Sequence, residues 1–240
     1  MGQAAEAIAR ARRSPAVELV GVHAHIGSQI FALESFDRAI ELLAGLVTGE
    51  GLPELVLGGG LGVAYVDGER APTLAGWGET LQASLRHHGL ADVAVSVEPG
   101  RSIVAAAAVT LYTVGTVKEV PGVRTYVAVD GGMSDNPRPV LYGSGYEVFL
   151  PRAPFAARPR QVRLVGKHCE SGDVLVHEAA VPADLAVGDL VATPVTGAYG
   201  HSMGSNYNKV PRPAVVFVAD GRARVVVRRE TLDDLLRLDA

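Results

Sequence analysis

The sequence predicts an α/β half followed by an all-β half, and three observations carry that expectation. Short apolar runs alternate with amphipathic stretches over the first hundred residues or so. Each of those runs ends in a loop rich in glycine or in charged and polar side chains. From about Val109 the long helical patterns vanish, and turn dipeptides separate one strand pattern from the next. The boundary falls near residue 106, giving domains 1–106 and 107–240.

Met1–Arg13 is rich in Ala and Arg, and Glu6 with the placing of Ile8 reads as a surface helix. Val17–Val22 is apolar enough for a buried strand. Ser35 reads as an N-cap, opening a helix that carries Ile40, Leu42, Leu43 and Leu46. Leu55–Leu57 is a second strand, and a helix follows near Leu74–His88. Val93–Val97 is a third strand. This is a repeated β/α unit, for which parallel strands are expected. In the second half, Val109–Val117 and Arg124–Val129 flank Pro121-Gly122. Gly188-Asp189 punctuates another strand pair, and Asp220-Gly221 joins Ala214–Ala219 to Arg222–Arg228 as a hairpin. A β-barrel or sandwich is the expected form.

Composition narrows the class of function. The hydrophobic fraction of 48% and charged fraction of 20% suit a soluble protein with a sizeable core. A net charge of −4 makes no basic field, which argues against nucleic acid as partner. The uncharged stretch Ile103–Val117 contains Thr110, Tyr112, Thr113 and Gly115 and is too short and polar to span a membrane. A single cysteine and no visible leader favour a reducing cytoplasm.

The chemistry-bearing residues gather where the strands end. The first strand runs into His23-Ala24-His25-Ile26-Gly27-Ser28, the second into Gly58-Gly59-Gly60, and the third into Glu98-Pro99-Gly100-Arg101. The C-terminal ends of β/α strands are where such folds place their active sites. Glycines there let backbone N–H groups approach an anion, with Ser28 and Arg101 as further donors. The spacing Gly58-Gly59-Gly60-Leu61-Gly62 does not match a dinucleotide fingerprint. Glu98 before Pro99 needs a cation or donor; a salt bridge to Arg101 is the plain reading, and a proton held on a heterocyclic nitrogen is the functional one. His23 and His25 lack a third ligand with matching spacing, so no metal is expected. Cys169 cannot pair with another cysteine. Its neighbours Lys167-His168-Cys169-Glu170-Ser171-Gly172-Asp173 make a polar turn, where a thiol can move a proton and a carboxylate can hold a charged substrate.

Taken in order, these motifs with Asn136–Gly143, Gly197-Ala198-Tyr199 and Ser205-Asn206-Tyr207-Asn208 resemble the fold-type III pyridoxal-phosphate decarboxylases, and among them the diaminopimelate branch. The resemblance implies decarboxylation of meso-2,6-diaminopimelate to L-lysine with pyridoxal 5'-phosphate as cofactor. His25 would stack on the cofactor ring. Glu98 would pair with the pyridine nitrogen. Ser28, Gly60, Gly100, Arg101 and Tyr199 would surround the phosphate. Arg101, Arg138, Tyr142, Glu170 and Tyr199 would contact substrate, and Cys169 would be the proton donor. The Cys–Glu loop would serve the partner subunit's site, which implies a homodimer.

One motif of that family is absent. Its cofactor-holding lysine sits in Tyr-x-x-Lys-Ala on an early barrel strand, whereas the lysines here are Lys118, Lys167 and Lys209. The expectation is the C-terminal part of a (β/α)8 barrel, about three strands, followed by the β-domain. An ornithine, arginine or polyamine-precursor decarboxylase of the same fold is an alternative; Arg138 and Tyr142 favour a substrate with a distal carboxylate. A non-catalytic homologue that binds a protein partner is another.

Overall fold

The computed structural model describes residues 2–239. The chain divides into two compact units. The first runs up to Ala64 and resumes over Arg70–Ile103; the second combines Tyr65–Glu69 with the chain from Val104 onward.

The first unit begins with helix α1 (Gly2–Arg13), which buries Ile8. Strands β1 (Gly21–His23), β2 (Glu54–Val56) and β3 (Ala94–Ser96) form a parallel sheet in the order β1-β2-β3. The sequence places strand one over Val17–Val22, but β1 pairs on one side only and its ladder starts at Gly21. Val17 and Val20 are left exposed. A Cβ at Gly21 would run into the carbonyl oxygen of Glu54, so close strand approach explains the glycine.

Helix α2 (Glu34–Gly49) buries Phe36, Ile40, Ala44 and Val47, a stripe at helical spacing. Leu43 and Leu46 pack at its margin, while Leu42 points outward, 54% exposed. Ser35 is not the cap. The helix starts at Glu34 with Leu33 in the cap position and no side-chain cap bond; Glu34 and Asp37 instead place negative charge at the positive end of the dipole. Helix α3 (Leu74–His87) has a side-chain cap, Thr73, whose Oγ1 accepts the Gly76 N–H at 3.0 Å. It buries Trp77, Leu81 and Leu85. Phe36 and Trp77 meet edge to face at 5.4 Å, and Ser84 Oγ donates to Asp37 Oδ1. Val22, Leu55 and Val95, in register across the sheet, face this helical core. A short helix α4 (Gly100–Val104) follows β3.

The second unit is built on strands β4 (Val109–Val120) and β5 (Arg124–Val129), joined through Gly122 at φ +72°. Helix α5 (Arg138–Tyr142) comes next, then β6 (Arg160–Val165), β7 (Val174–Val181) and β8 (Leu190–Pro194). These strands pair in the order β7-β6-β5-β4-β8. The long β4 carries a register shift between Val114 and Thr116; its first half pairs with β8 and its second with β5. One expectation needs correction. Gly188-Asp189 does not join a strand pair, because β8 pairs with β4 rather than with β7. Beyond β8 the pairing continues through an isolated antiparallel bridge from Ala192 to Phe149, and among the described residues no ladder joins β7 to β8. Strands β9 (Val215–Ala219) and β10 (Arg222–Val227) form a separate antiparallel hairpin. Asp220 and Gly221 both have positive φ, the arrangement a two-residue hairpin turn requires. Helix α6 (Leu232–Leu236) closes the unit with a capping box between Thr231 and Asp234. Among the described residues no helix is long and apolar enough to cross a membrane.

Candidate active site

Because β1, β2 and β3 are parallel, their three loaded loops emerge at one end of the sheet. Backbone bonds continue the pairing into those loops: Leu57 N–H donates to Ser96 O at 3.0 Å, and Glu98 N–H to Gly58 O at 2.7 Å. The glycine triplet is a packing requirement there. Gly58 and Gly60 adopt φ of +63° and +97°. A Cβ on Gly59 would strike the carbonyl oxygen of Glu98, and one on Gly60 that of Gly27. Gly100 is different: nothing crowds its α-carbon.

The side chains of this end interlock. His23 Nε2 lies 3.2 Å from Glu98 Oε2, so it is His23 that orients the acid. Arg101, the partner expected for Glu98, donates from Nη2 to Ser28 Oγ at 2.9 Å. His25 accepts the Gly59 N–H on Nδ1 at 3.2 Å, which leaves Nε2 to carry the proton of the neutral ring. Glu98 keeps 54% of its side chain exposed and within reach of a ligand.

The second unit holds two further groups. Pro137 precedes α5, Pro139 stands in its first turn, and Gly143 ends it at φ +62°, which sets Arg138 in the helix's first turn. Arg138 is only 5% exposed. Its guanidinium stands 5.1 Å from the Tyr65 ring and 5.5 Å from that of Tyr142. Nη2 donates to Ser144 Oγ at 3.0 Å, and Nε makes no hydrogen bond. Burial raises the pKa of the nearby Tyr146 phenol, against the lowering exerted by Arg138. Tyr142 itself is 63% exposed.

The other group surrounds Cys169, which is exposed on the loop between β6 and β7. Glu170 Oε1 accepts the Tyr207 hydroxyl at 2.5 Å, and that bond, then burial, raises the Tyr207 pKa above the usual tyrosine value. His168 is buried beside them, its ring 5.3 Å from that of Tyr207. Tyr199 sits at φ +56°, an uncommon conformation for a bulky residue. Gly197 before it is needed where the chain passes the carbonyl oxygen of Val104.

The geometry thus joins His25, Ser28, Gly60, Glu98, Gly100 and Arg101 at one sheet end, and gathers Cys169 with Glu170, and Arg138 with Tyr142, in the second unit. Reading residues singly does not assign roles to His23, Tyr65 and Tyr207. The i, i+2 histidine pair and the Ser205–Asn208 motif are the signals that point to two of them; nothing local marks Tyr65.

Residues 1–105 match the family model for the pyridoxal-binding domain of pyridoxal-dependent decarboxylases. Over that segment the chain is similar to proteins of that family. Its similar relatives are diaminopimelate decarboxylases. That of Actinosynnema pretiosum subsp. auranticum is 50% identical over 98% of this chain and 55% of its own length. That of Bacillus subtilis is 43% identical over 99% of this chain and 56% of its own. Among solved structures, diaminopimelate decarboxylase from Helicobacter pylori in complex with L-lysine superposes with a TM-score of 0.88 at 34% identity, over 99% of this chain and 59% of that one. The enzyme from M. jannaschii, also with L-lysine, gives 0.89 at 32% identity, over 99% and 55%. The chain spans a little over half the length of the curated relatives it matches.

Proposed function

We propose that this chain takes part in the pyridoxal-phosphate-dependent decarboxylation of meso-2,6-diaminopimelate to L-lysine, in the cytoplasm and as a homodimer. Residues 1–106 would be the C-terminal part of a (β/α)8 barrel carrying the cofactor residues, and 107–240 a β-domain carrying substrate residues. The observation that carries the reading is Arg138, a buried guanidinium whose contacts among the described residues are aromatic rings and hydroxyls, with no anion among them. Such a cation needs an anion to complete it. A substrate with a distal carboxylate supplies one; a diamine-forming substrate such as ornithine does not.

The residues of the first unit suit pyridoxal phosphate. Glu98, half-exposed and oriented by His23, is an acid able to keep a proton on the pyridine nitrogen. His25, tethered through Nδ1, offers its ring face for stacking. Ser28, Gly60, Gly100 and Arg101, with Tyr199, would hold the phosphate; Gly60 has the backbone freedom and lack of side chain that close approach requires. The covalent lysine of the family is not supplied by this unit, since Lys118, Lys167 and Lys209 all belong to the second.

When bound, the cofactor supplies a sink for the electron pair left at Cα as carbon dioxide departs. Arg138 and Tyr142 would fix the distal carboxylate, and Arg101, Glu170 and Tyr199 the other polar contacts of the substrate. Glu170 is held by the Tyr207 hydroxyl, which fixes where its carboxylate points. The Cys169 thiol would give its proton to Cα, in the partner subunit's site, and recover it from solvent.

The test combines the purified chain with the part of the A. pretiosum relative that this chain does not span. Carbon dioxide release is expected from diaminopimelate and not from ornithine. Cys169→Ala should lower kcat by about a hundredfold or more, as removal of a general acid does. No release from diaminopimelate would refute the reading.

A further inference from the structure

Asp173 is buried, 3% exposed, at the end of the loop that carries Cys169. Its carboxylate is spent on backbone. Oδ1 accepts the Met133 N–H at 2.6 Å, and Oδ2 accepts the His168 N–H at 2.8 Å. Those two donors belong to different segments, the stretch after β5 and the Cys169 loop itself. Two more bonds run along the same seam: Lys167 N–H to Gly131 O and Gly166 N–H to Asp173 O, both 2.9 Å. His168 Nε2 meets Ser134 Oγ at 2.9 Å across it.

Two glycines make room for the carboxylate. A Cβ on Gly132 would come 2.6 Å from Asp173 Oδ2, and one on Gly166 would collide with the same oxygen. Gly132, Gly166 and Asp173 therefore form one steric unit. From it the order continues outward through the His168 ring to Tyr207, whose hydroxyl holds Glu170.

We infer that Asp173 is a positioning residue: its carboxylate staples the Cys169–Glu170 loop to residues 131–134 and so sets where the thiol and the neighbouring acid point. The catalytic consequence rests on the reading of Cys169 as proton donor; the staple itself does not. Asparagine has nearly the same shape but replaces one acceptor oxygen by a donor, which would face a backbone N–H. Losing one hydrogen bond to a charged group is enough to shift the ordered population of a loop about tenfold.

Amide hydrogen exchange is followed in the 240-residue chain and in Asp173→Asn. The expected result is about tenfold faster exchange at Met133, Lys167 and His168, the amides bonded along the seam, with exchange in the β4–β8 ladder unchanged. Exchange at Lys167, which does not bond the Asp173 side chain, within about twofold of the unaltered chain, or equal acceleration of the ladder amides, overturns the inference. If Asp173→Asn does not fold, Gly166→Ala decides by the same criteria, since it displaces the carboxylate while leaving it in place chemically. In the combined protein, Asp173→Asn should lower kcat with KM little changed. Failure of that protein to release carbon dioxide would sink the functional reading alone, because exchange does not depend on turnover.

Discussion

Arg138 shows how burial converts a single side chain into a specificity statement. Among the described residues its charge meets the faces of Tyr65 and Tyr142 and hydroxyls, and no carboxylate. Truncating one partner of a buried charge pair costs several kcal/mol, most of it borne by the charge left behind. Arg138→Ala in the combined protein should therefore raise KM for diaminopimelate about thirtyfold or more while kcat falls less, the pattern of lost uniform binding. Steady-state kinetics with an unchanged KM would remove Arg138 from the substrate site. Gly60 carries a different single-residue constraint: its φ of +97° and the nearby Gly27 carbonyl both exclude a side chain. Gly60→Ala should destabilise the first unit by about 2 kcal/mol or more, measurable by urea unfolding.

At the level of elements, the β9–β10 hairpin is tied down at its two ends by one ion pair. Glu230, just past β10, accepts from Arg212 N–H at 2.8 Å, from Arg212 Nε at 2.8 Å and Nη2 at 2.6 Å, and from Asn206 Nδ2. Its own N–H returns a bond to Arg212 O at 3.1 Å. The Arg212 guanidinium, first among these, lowers the Glu230 pKa from the usual carboxylate value to about 2. A depressed acid contributes stability that is present above its unfolded pKa and is lost as pH falls through the folded one. The hairpin clamp should thus weaken between about pH 4.5 and 2, and Arg212→Ala should remove that pH-dependent part. Thermal melts over this range test it; identical slopes for the two proteins would exclude the clamp. Such turns and periodic stretches are what one sequence makes legible: Asp220-Gly221, the Leu74–His87 helix and the three loaded strand ends all follow from local rules. Pairing across long separations does not. Nothing near Val109 or Leu190 says that β4 and β8 are neighbours, and a helix face mixing Leu42 with Ile40 reads one residue out of phase until the sheet it covers is known. Asp173 escapes for a related reason, since its partners are backbone amides that every residue possesses.

The molecule as a whole carries apolar and polar surfaces that its own residues leave open. In the first unit the sheet face opposite the helical core bears Gly21, His23, Glu54, Val56, Ala94 and Ser96, all exposed or half-buried. Strands β1 and β3 are its edges. In the second unit both strands of the β9–β10 hairpin expose apolar side chains, Val216, Phe217, Val218 and Val225 among them. Apolar area left in water forgoes roughly 25 cal/mol per Å², and unpaired strand edges invite association. The relatives are nearly twice as long, so their additional residues are candidates to cover such surfaces. We therefore expect the 240-residue chain alone to unfold at low denaturant and to self-associate with rising concentration. It should also release no carbon dioxide from diaminopimelate, because no lysine lies in its first unit. Joined with the part of a relative that it does not span, it should gain both a higher melting temperature and activity. Differential scanning calorimetry and carbon dioxide release on the two preparations are the checks. Turnover by the chain alone would mean that Lys118, Lys167 or Lys209 can take the cofactor, and would require the assignment of the first unit as the cofactor's seat to be abandoned.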